Sequence, residues 1–487
     1  MGVPHIKGKV ISGIIWSSIQ LVISRGFGFA IRLILAKLLF PSQFGLVGMA
    51  TVFISFIQIF NEIGIGAALV QRKEEHLTEE HYHTAFWTGL VWSTGIFLLI
   101  FFAVAPLAAA FYKEPMLREI VPVLSLGVLP SAISLVHSAR LTKQMDFKRL
   151  AFINNVSTVF SGVVALVMAY MGAGVWALVF NSVAAYFVAL PLYFNATKWY
   201  PKLVWDKQSF VDIFGFGVYT TGTNFFNNLI SKVDYLLIGK LMSAYALGTY
   251  TLAFVLTDTF RSQIMGMIGK VMYPVYGQKQ DDLVLLKRYY LKVVKYNSVC
   301  IYPVMVFLIV LGEPFVYDFF GDKWSDAIMP LKILALSVMV HMLVNSHASL
   351  IRGLGHSRLE MKIQFSKAVF FYVPLITLGI YWNGIVGAAW AYVLNKALEV
   401  VVAQYYLKKL VDVSLKDLLF TMATPLVAST IAFAVTILLY NLKLHYLICT
   451  VGLAISYCCV VWLMMRSELN LRLKELKEFK TRRVVPN

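Results

Sequence analysis

Two arginines, Arg25 and Arg32, stand seven residues apart inside a long apolar stretch. At 100° per residue a helix would carry them on one face, about 20° out of register. Ser18 shares that face, and Gln20 and Ser24 lie close by. A second polar run, Asn224, Asn227, Asn228, Ser231, Lys232 and Asp234, interrupts another apolar stretch. Guanidinium forks match phosphate oxygens two at a time, so these residues suit a cationic, water-filled cleft for an anionic substrate. Arg25, Arg32, Lys232, Asn228 and Asn224 are the substrate-binding candidates. The plainer alternative is pairing between helices, for example Arg25 with Asp234. Asp258 with Arg261 and Lys396 with Glu399 are each three residues apart, a spacing at which partners on one helix neutralise each other. They are candidate coupling sites or structural ion pairs, as is Asp234. Glu62 has no partner nearby in sequence and is either a proton or cation site or a satisfied structural carboxylate.

The elements that carry these charges are membrane spans. Of 487 residues 59% are hydrophobic, only 14% are charged, and the mean hydropathy is +0.72, whereas soluble chains reach roughly 45–50% apolar with glycine included. A water-soluble enzyme is excluded, and the fold class is an all-α polytopic membrane protein. Apolar runs long enough to cross a bilayer, at about 20 residues each, predict fourteen transmembrane helices. They fall near 11–38, 44–70, 84–111, 119–139, 150–171, 174–197, 210–241, 245–272, 293–320, 327–350, 361–381, 384–407, 415–440 and 443–465. A charge at mid-bilayer costs at least about 2.5–3.5 kcal/mol, so the buried arginines must face water, a partner or a ligand.

Absent motifs narrow the chemistry. The four cysteines sit in apolar runs as small filler, with no disulfide framework or zinc spacing. The loop from Glu74 to His83 is rich in Glu and His but lacks a zinc pattern, and reads as a solvated cytoplasmic loop. No HExxH, P-loop, GxSxG or dinucleotide fingerprint occurs. The expectation is therefore a protein that is not an enzyme, with no cofactor, no metal, no nucleic-acid partner and no ATP-driven step of its own.

Lys and Arg are distributed unevenly. Of 43, the N-terminus, the even-to-odd connections and the tail hold 31, the opposite side 7. By the positive-inside rule both termini are cytoplasmic. Leu469, Leu473 and Leu476 recur at helical spacing in the basic tail, which is either a helix lying on the membrane surface or a solvated segment.

An internal repeat is also legible. Leu33, Lys37, Leu38 and Gly45 recur 203 residues on as Leu236, Lys240, Leu241 and Gly248. The stretch beginning at Trp176 recurs at Trp390, and Arg140 corresponds to Arg352. Six spans separate equivalent positions, so both copies face the same way and form a parallel repeat of the transporter kind. The expected organisation is an N-lobe over 1–200 (spans 1–6), a C-lobe over 201–409 (spans 7–12), peripheral spans 13–14 over 410–466 and a basic tail over 467–487, with the substrate site between the lobes.

Local stretches carry a resemblance. They are Gly64–Lys73 followed by Ala85-Phe86-Trp87, Met145–Ala151 leading to Gly172–Leu178, Leu247-Gly248-Thr249-Tyr250, Tyr273-Pro274 with Gln280-Asp281-Asp282, and Gly321-Asp322-Lys323-Trp324. In that order the chain resembles the Wzx-type polysaccharide exporters of the multidrug/oligosaccharidyl-lipid/polysaccharide superfamily, closest to the colanic and teichuronic acid branch. The resemblance covers nearly the whole chain. It implies a fourteen-span, two-lobed flippase of the bacterial cytoplasmic (inner) membrane. Such a flippase moves undecaprenyl-diphosphate-linked oligosaccharide from the cytoplasmic to the outer leaflet by alternating access, among membrane lipids and alongside a polymerase and export machinery. It does not supply binding residues, because cleft charges differ among members. A proton, a sodium ion or the membrane potential could drive the cycle. The competing reading is a cation-coupled exporter of small organic compounds on the same fold. A membrane glycosyltransferase or polymerase would need catalytic residues and a larger external loop.

Overall fold

A computed structural model describes residues 3–61, 65–214 and 232–484. Glu62, Asn224, Asn227, Asn228 and Ser231 lie outside the described residues, as do the side chains of the tail from residue 467 onward. Every regular element among the described residues is helical, as membrane burial demands, because a helix satisfies its own backbone polar groups.

Contacts divide the chain into two units, Met1–Thr249 and Tyr250–Asn487. The first contains α1 (Val3–Leu38), α2 (Pro41–Asn61), α3 (Ile65–Gln71) and α4 (Glu79–Leu99). A π-helical turn, Ile100–Val104, joins α4 to α5 (Ala105–Tyr112), and α6 (Leu117–Ser125), α7 (Val128–Lys143), α8 (Phe147–Tyr170), α9 (Val175–Thr197) and α10 (Lys207–Phe214) follow. A further helix, α11, spans 232–241. The unit boundary falls inside α12 (Ala244–Gln278). The second unit continues through α13 (Leu283–Val310), α14 (Gly312–Phe319), α15 (Ile328–Met342), α16 (His347–Gly353) and α17 (Ser357–Lys367). A second π-helical turn, Ala368–Tyr372, leads into α18 (Val373–Val411), then α19 (Leu415–Asn441) and α20 (Tyr446–Val484).

Among the described residues ten helical segments are long and apolar enough to cross a membrane, so this is a multi-span membrane protein. One of them, Ser357–Val411, is 55 residues long and breaks at Asn383 and Gly384, where the sequence places the boundary between two spans. The sequence-predicted span over 210–241 lies largely outside the described residues. Helices start on short caps: Asp146 accepts from the Arg149 amide at 3.1 Å, and Asp282 from the Leu285 amide at 2.9 Å.

Lipid tails are as apolar as leucine, so packing in a membrane relies on close approach and small residues rather than on escape from water. In the first unit Ile31 and Leu35 of α1 and Leu39 just past its end, four residues apart, face Ala165 and Ala169 of α8 and Ala177 of α9. A Cβ on Gly162 would lie 2.8 Å from Ile31 and 2.9 Å from Phe27, so glycine there lets α8 seat against the arginine-bearing helix.

The two units share turn geometry at corresponding places. The α7–α8 turn has Asp146 N donating to Leu141 O and Met145 N to Thr142 O; the α16–α17 turn has His356 N donating to Ile351 O and Gly355 N to Arg352 O. Both are the bond pair of a Schellman end, with Met145 at φ 57° and Gly355 at φ 80° in the left-handed region. Gly174 (φ 59°, ψ −129°) and Gly384 (φ 53°, ψ −134°) adopt one further conformation that is open in practice only to glycine. Both pairs are 210 residues apart, as are Ala169 with Gly379 and Ala177 with Gly387, the small residues on either side of the glycine turns. The identical residue types at Arg140 and Arg352 and at Trp176 and Trp390 stand 212 and 214 residues apart.

Candidate functional site

Residues of the first unit enclose a cavity of about 450 Å³, a size usual for small-ligand sites. Ser24, Gly28 and Arg32 line it from α1, Thr51, Ser55 and Gln58 from α2, Thr158 and Ser161 from α8, Asn181, Ser182 and Tyr186 from α9, and Lys232 from α11. Most of this lining is hydroxyl or amide, which can exchange hydrogen bonds with sugar hydroxyls or phosphate oxygens. Ser24 Oγ donates to Asn155 Oδ1 at 2.7 Å, tying α1 to α8 beside it. Two cations and no carboxylate face this space among the described lining residues, so an anion is the matching charge. A larger groove of about 980 Å³, lined by Trp87, Trp92, Trp205 and Phe210, is almost wholly apolar and offers nothing to hold a charged group.

The sequence-predicted cations separate here. Arg32 and Lys232 share the cavity. Arg25 is exposed on α1, seven residues and so about 10 Å further along the helix, and is not among the residues lining it. Lys232 Nζ lies 5.1 Å from the Tyr235 ring centre, within cation–π range. Asp234 is 2% exposed and its Oδ1 accepts from the Tyr235 amide at 2.9 Å.

The loop of glutamates and histidines is only partly solvated. Glu75, His76 and Glu80 are exposed, but Glu79 accepts two bonds from Arg140 at 2.9 and 3.0 Å and one from Trp199 Nε1 at 2.9 Å. His81 and His83 are buried, and His83 stacks on Trp199 at 5.2 Å. The expectation of a simple solvated loop fails for His81 and His83, which α4, beginning at Glu79, carries into the unit, while Glu79 itself stays exposed with its bonds to Arg140 and Trp199.

In the second unit both predicted i,i+3 pairs form, and the fold joins them. Arg261 binds Asp258, with Nε to Oδ1 at 2.7 Å, and Lys396 Nζ reaches Glu399 Oε2 at 3.0 Å. Glu399, 5% exposed, is also 3.0 Å from Lys367 Nζ, 3.7 Å from His341 Nε2 and 3.8 Å from His347 Nε2. Arg261 Nη1 contacts His341 Nδ1 at 3.1 Å, which links the two pairs. Sequence reasoning missed His341, His347 and Lys367: none belongs to a motif or a spaced pair, and only packing of α15, α16 and α17 against α18 brings them to Glu399.

Residues 34–329 match the family described as Polysaccharide biosynthesis protein, and the chain belongs to that family. Among its relatives is the teichuronic acid biosynthesis protein TuaB of Bacillus subtilis, 24% identical over 440 residues, covering 89% of this chain and 90% of that one. The lipopolysaccharide biosynthesis protein WzxC of Escherichia coli is 24% identical over 414 residues, covering 83% and 82%. These relatives are Wzx-type polysaccharide exporters. The fold is that of the lipid II flippase MurJ in its inward closed conformation, with TM-score 0.72, 12% identity, and coverage of 94% of this chain and 100% of that one. An inward-facing multidrug resistance MATE family transporter matches at TM-score 0.63 and 15% identity, covering 84% and 100%.

Proposed function

We propose that this protein flips undecaprenyl-diphosphate-linked oligosaccharide repeat units from the cytoplasmic to the outer leaflet of a bacterial inner membrane, for exopolysaccharide, O-antigen or a related polymer. The observation that carries the reading is the polar cavity of the first unit with Arg32 and Lys232 at its wall, in a chain of the polysaccharide biosynthesis family. Arg32 holds the diphosphate with its fork and Lys232 adds a point charge. The hydroxyls and amides around them take the sugars, and the polyprenyl tail stays in lipid. Arg25 receives the headgroup before it reaches the cavity. Asn224 and Asn228, a few residues before Lys232 in sequence, are further substrate-binding candidates.

The organisation that goes with this function is fourteen spans in two duplicated six-helix lobes, with spans 13 and 14 peripheral and both termini cytoplasmic. Paired turns at Met145 and Gly355 and at Gly174 and Gly384 support the duplication, and the charge asymmetry supports the orientation. The lobes alternate access to a midplane site, as parallel-repeat transporters do. A polymerase and export machinery would take the product.

Translocation of lipid-linked oligosaccharide in liposomes containing only this protein tests the proposal. Movement of the lipid to the opposite leaflet is expected, and a purified, folded protein that moves none of it would overturn the reading. The runner-up, a cation-coupled exporter of small organic compounds, draws on the likeness to MATE transporters. A cation-binding wall would carry carboxylates where this cavity has Arg32 and Lys232.

A further inference from the structure

The buried charges around Glu399 differ in what they present to it, and the difference can be read from hydrogen-bond chemistry. Arginine has only donors, so His341 Nδ1, 3.1 Å from Arg261 Nη1, must accept. His341 is thereby held as the neutral ring with its proton on Nε2, directed at Glu399 Oε1 at 3.7 Å. His347 is the reverse. Its Nδ1 lies 2.7 Å from the carbonyl of Val344, which can only accept, so Nδ1 carries the proton. In the neutral ring Nε2 is then a lone pair, and it faces Glu399 Oε1 at 3.8 Å. Lys367, Lys396 and His341 all offer hydrogen to this carboxylate. His347 alone among them offers an acceptor to an acceptor, an arrangement that one added proton completes.

We propose that His347 and Glu399 form the proton-binding site through which the flipping cycle is coupled to a proton gradient, an inference that rests on the flippase reading given above. The groups facing the site are Asp258 and Arg261 from α12, His341 from α15, Lys367 from α17, with Glu360 on that helix paired to Arg352 of α16 at 3.4 Å, and Lys396 beside the Tyr392 ring from α18. Tyr276 packs on Gly353 at the far end of α16. A proton on His347 Nε2 makes an imidazolium that competes with Lys367 for Glu399 Oε1. Lys367 is the last residue before the π-helical turn Ala368–Tyr372, a distortion often found where helices move or bind. Protonation therefore loosens α17 from α18 at a place already built to give. His341 cannot take the same role without expelling Arg261, because a proton on its Nδ1 would face the guanidinium.

The probe is the proton itself. Full-length protein labelled with nitrogen-15 histidine, in lipid nanodiscs, is titrated between about pH 5 and pH 9, the range in which histidine changes charge. Among the nine histidines the two rings are assigned by the signals lost in His347→Gln and His341→Gln, and the neutral form of His347 carries hydrogen on Nδ1 and that of His341 on Nε2. The Nδ1-protonated ring is expected to become doubly protonated as pH falls while the Nε2-protonated ring stays neutral. A Nδ1-protonated ring that keeps one state throughout, or titration of the other ring in its place, overturns the site. In proteoliposomes, an imposed pH gradient should accelerate flipping of lipid-linked oligosaccharide, and His347→Gln should lower that acceleration about tenfold. Equal flipping with and without the gradient in the unmutated protein overturns the coupling and leaves the flippase reading standing. No flipping under any condition overturns the flippase reading and the coupling with it, and the titration alone then decides whether the proton site exists.

Discussion

Gly45 and Gly248 lie against each other reciprocally. A Cβ on Gly45 would sit 1.6 Å from the carbonyl oxygen of Ala244, and a Cβ on Gly248 would sit 1.7 Å from that of Pro41. Each glycine thus meets the carbonyl four residues before the other, the pattern of a self-complementary contact about a two-fold axis. Pro41 and Ala244, like the glycines, are 203 residues apart and open α2 and α12.

Alanine at either glycine should therefore be costly. Backbone cannot step aside as a flexible side chain would, and overpacking of a tight interior costs about 1–3 kcal/mol or more. Thermal unfolding of detergent-purified Gly45→Ala and Gly248→Ala is expected at lower temperature, with less folded protein per cell. Gly26→Ala, where nothing lies within 4 Å of the new methyl, is the control. Unchanged melting in all three variants would contradict the contact.

Arg32→Ala and Lys232→Ala should each remove a charge-assisted contact worth about 1.5–3 kcal/mol, a loss of roughly tenfold or more in substrate binding. Arg32→Lys should recover part of it, because charge survives and the fork does not. Arg25→Ala should cost less, since Arg25 stands outside the cavity wall. Polymer export normalised to membrane-inserted protein is the measurement, and full export by both Arg32→Ala and Lys232→Ala would refute the role.

The orientation is open to labelling. A cysteine placed at Lys113 should react with an impermeant reagent added from outside the cell, and one at Lys73 should not, given 31 of 43 Lys and Arg on one side. The opposite result would reverse the inferred direction of transport.

Asp206 gives a pH dependence outside the spans. It accepts from the Ser209 amide at 2.7 Å at the start of α10, and that bond, with the Ser209 side chain, holds its carboxyl below the ordinary range. A depressed carboxylate contributes stability above its unfolded pKa and loses it as pH falls through the folded one. Amide exchange across 207–214 should quicken on acidification below the usual carboxylate range, and Asp206→Asn should blunt that response. An exchange rate indifferent to acid in the unmutated protein would remove the cap from the account.

Much of this protein is written locally. Hydropathy is a property of consecutive residues, so spans such as 150–171 and 174–197 could be placed within a few residues of α8 and α9, and i,i+3 spacing was enough to pair Asp258 with Arg261 and Lys396 with Glu399. Charge asymmetry needs only counting. Other relations exist because helices distant in sequence are packed side by side. Nothing near Arg25 and Arg32 in sequence distinguishes them, yet Arg32 lines a cavity together with residues of α2, α8 and α9 and Arg25 does not. His341, His347 and Lys367 carry no periodic or motif signal, and they gain chemical meaning only from Glu399, between 32 and 58 residues away along the chain. A buried carboxylate needs several partners at once, and a single helix can supply only those within a turn of it. The remaining partners must come from neighbouring helices, and only the tertiary structure decides which ones those are.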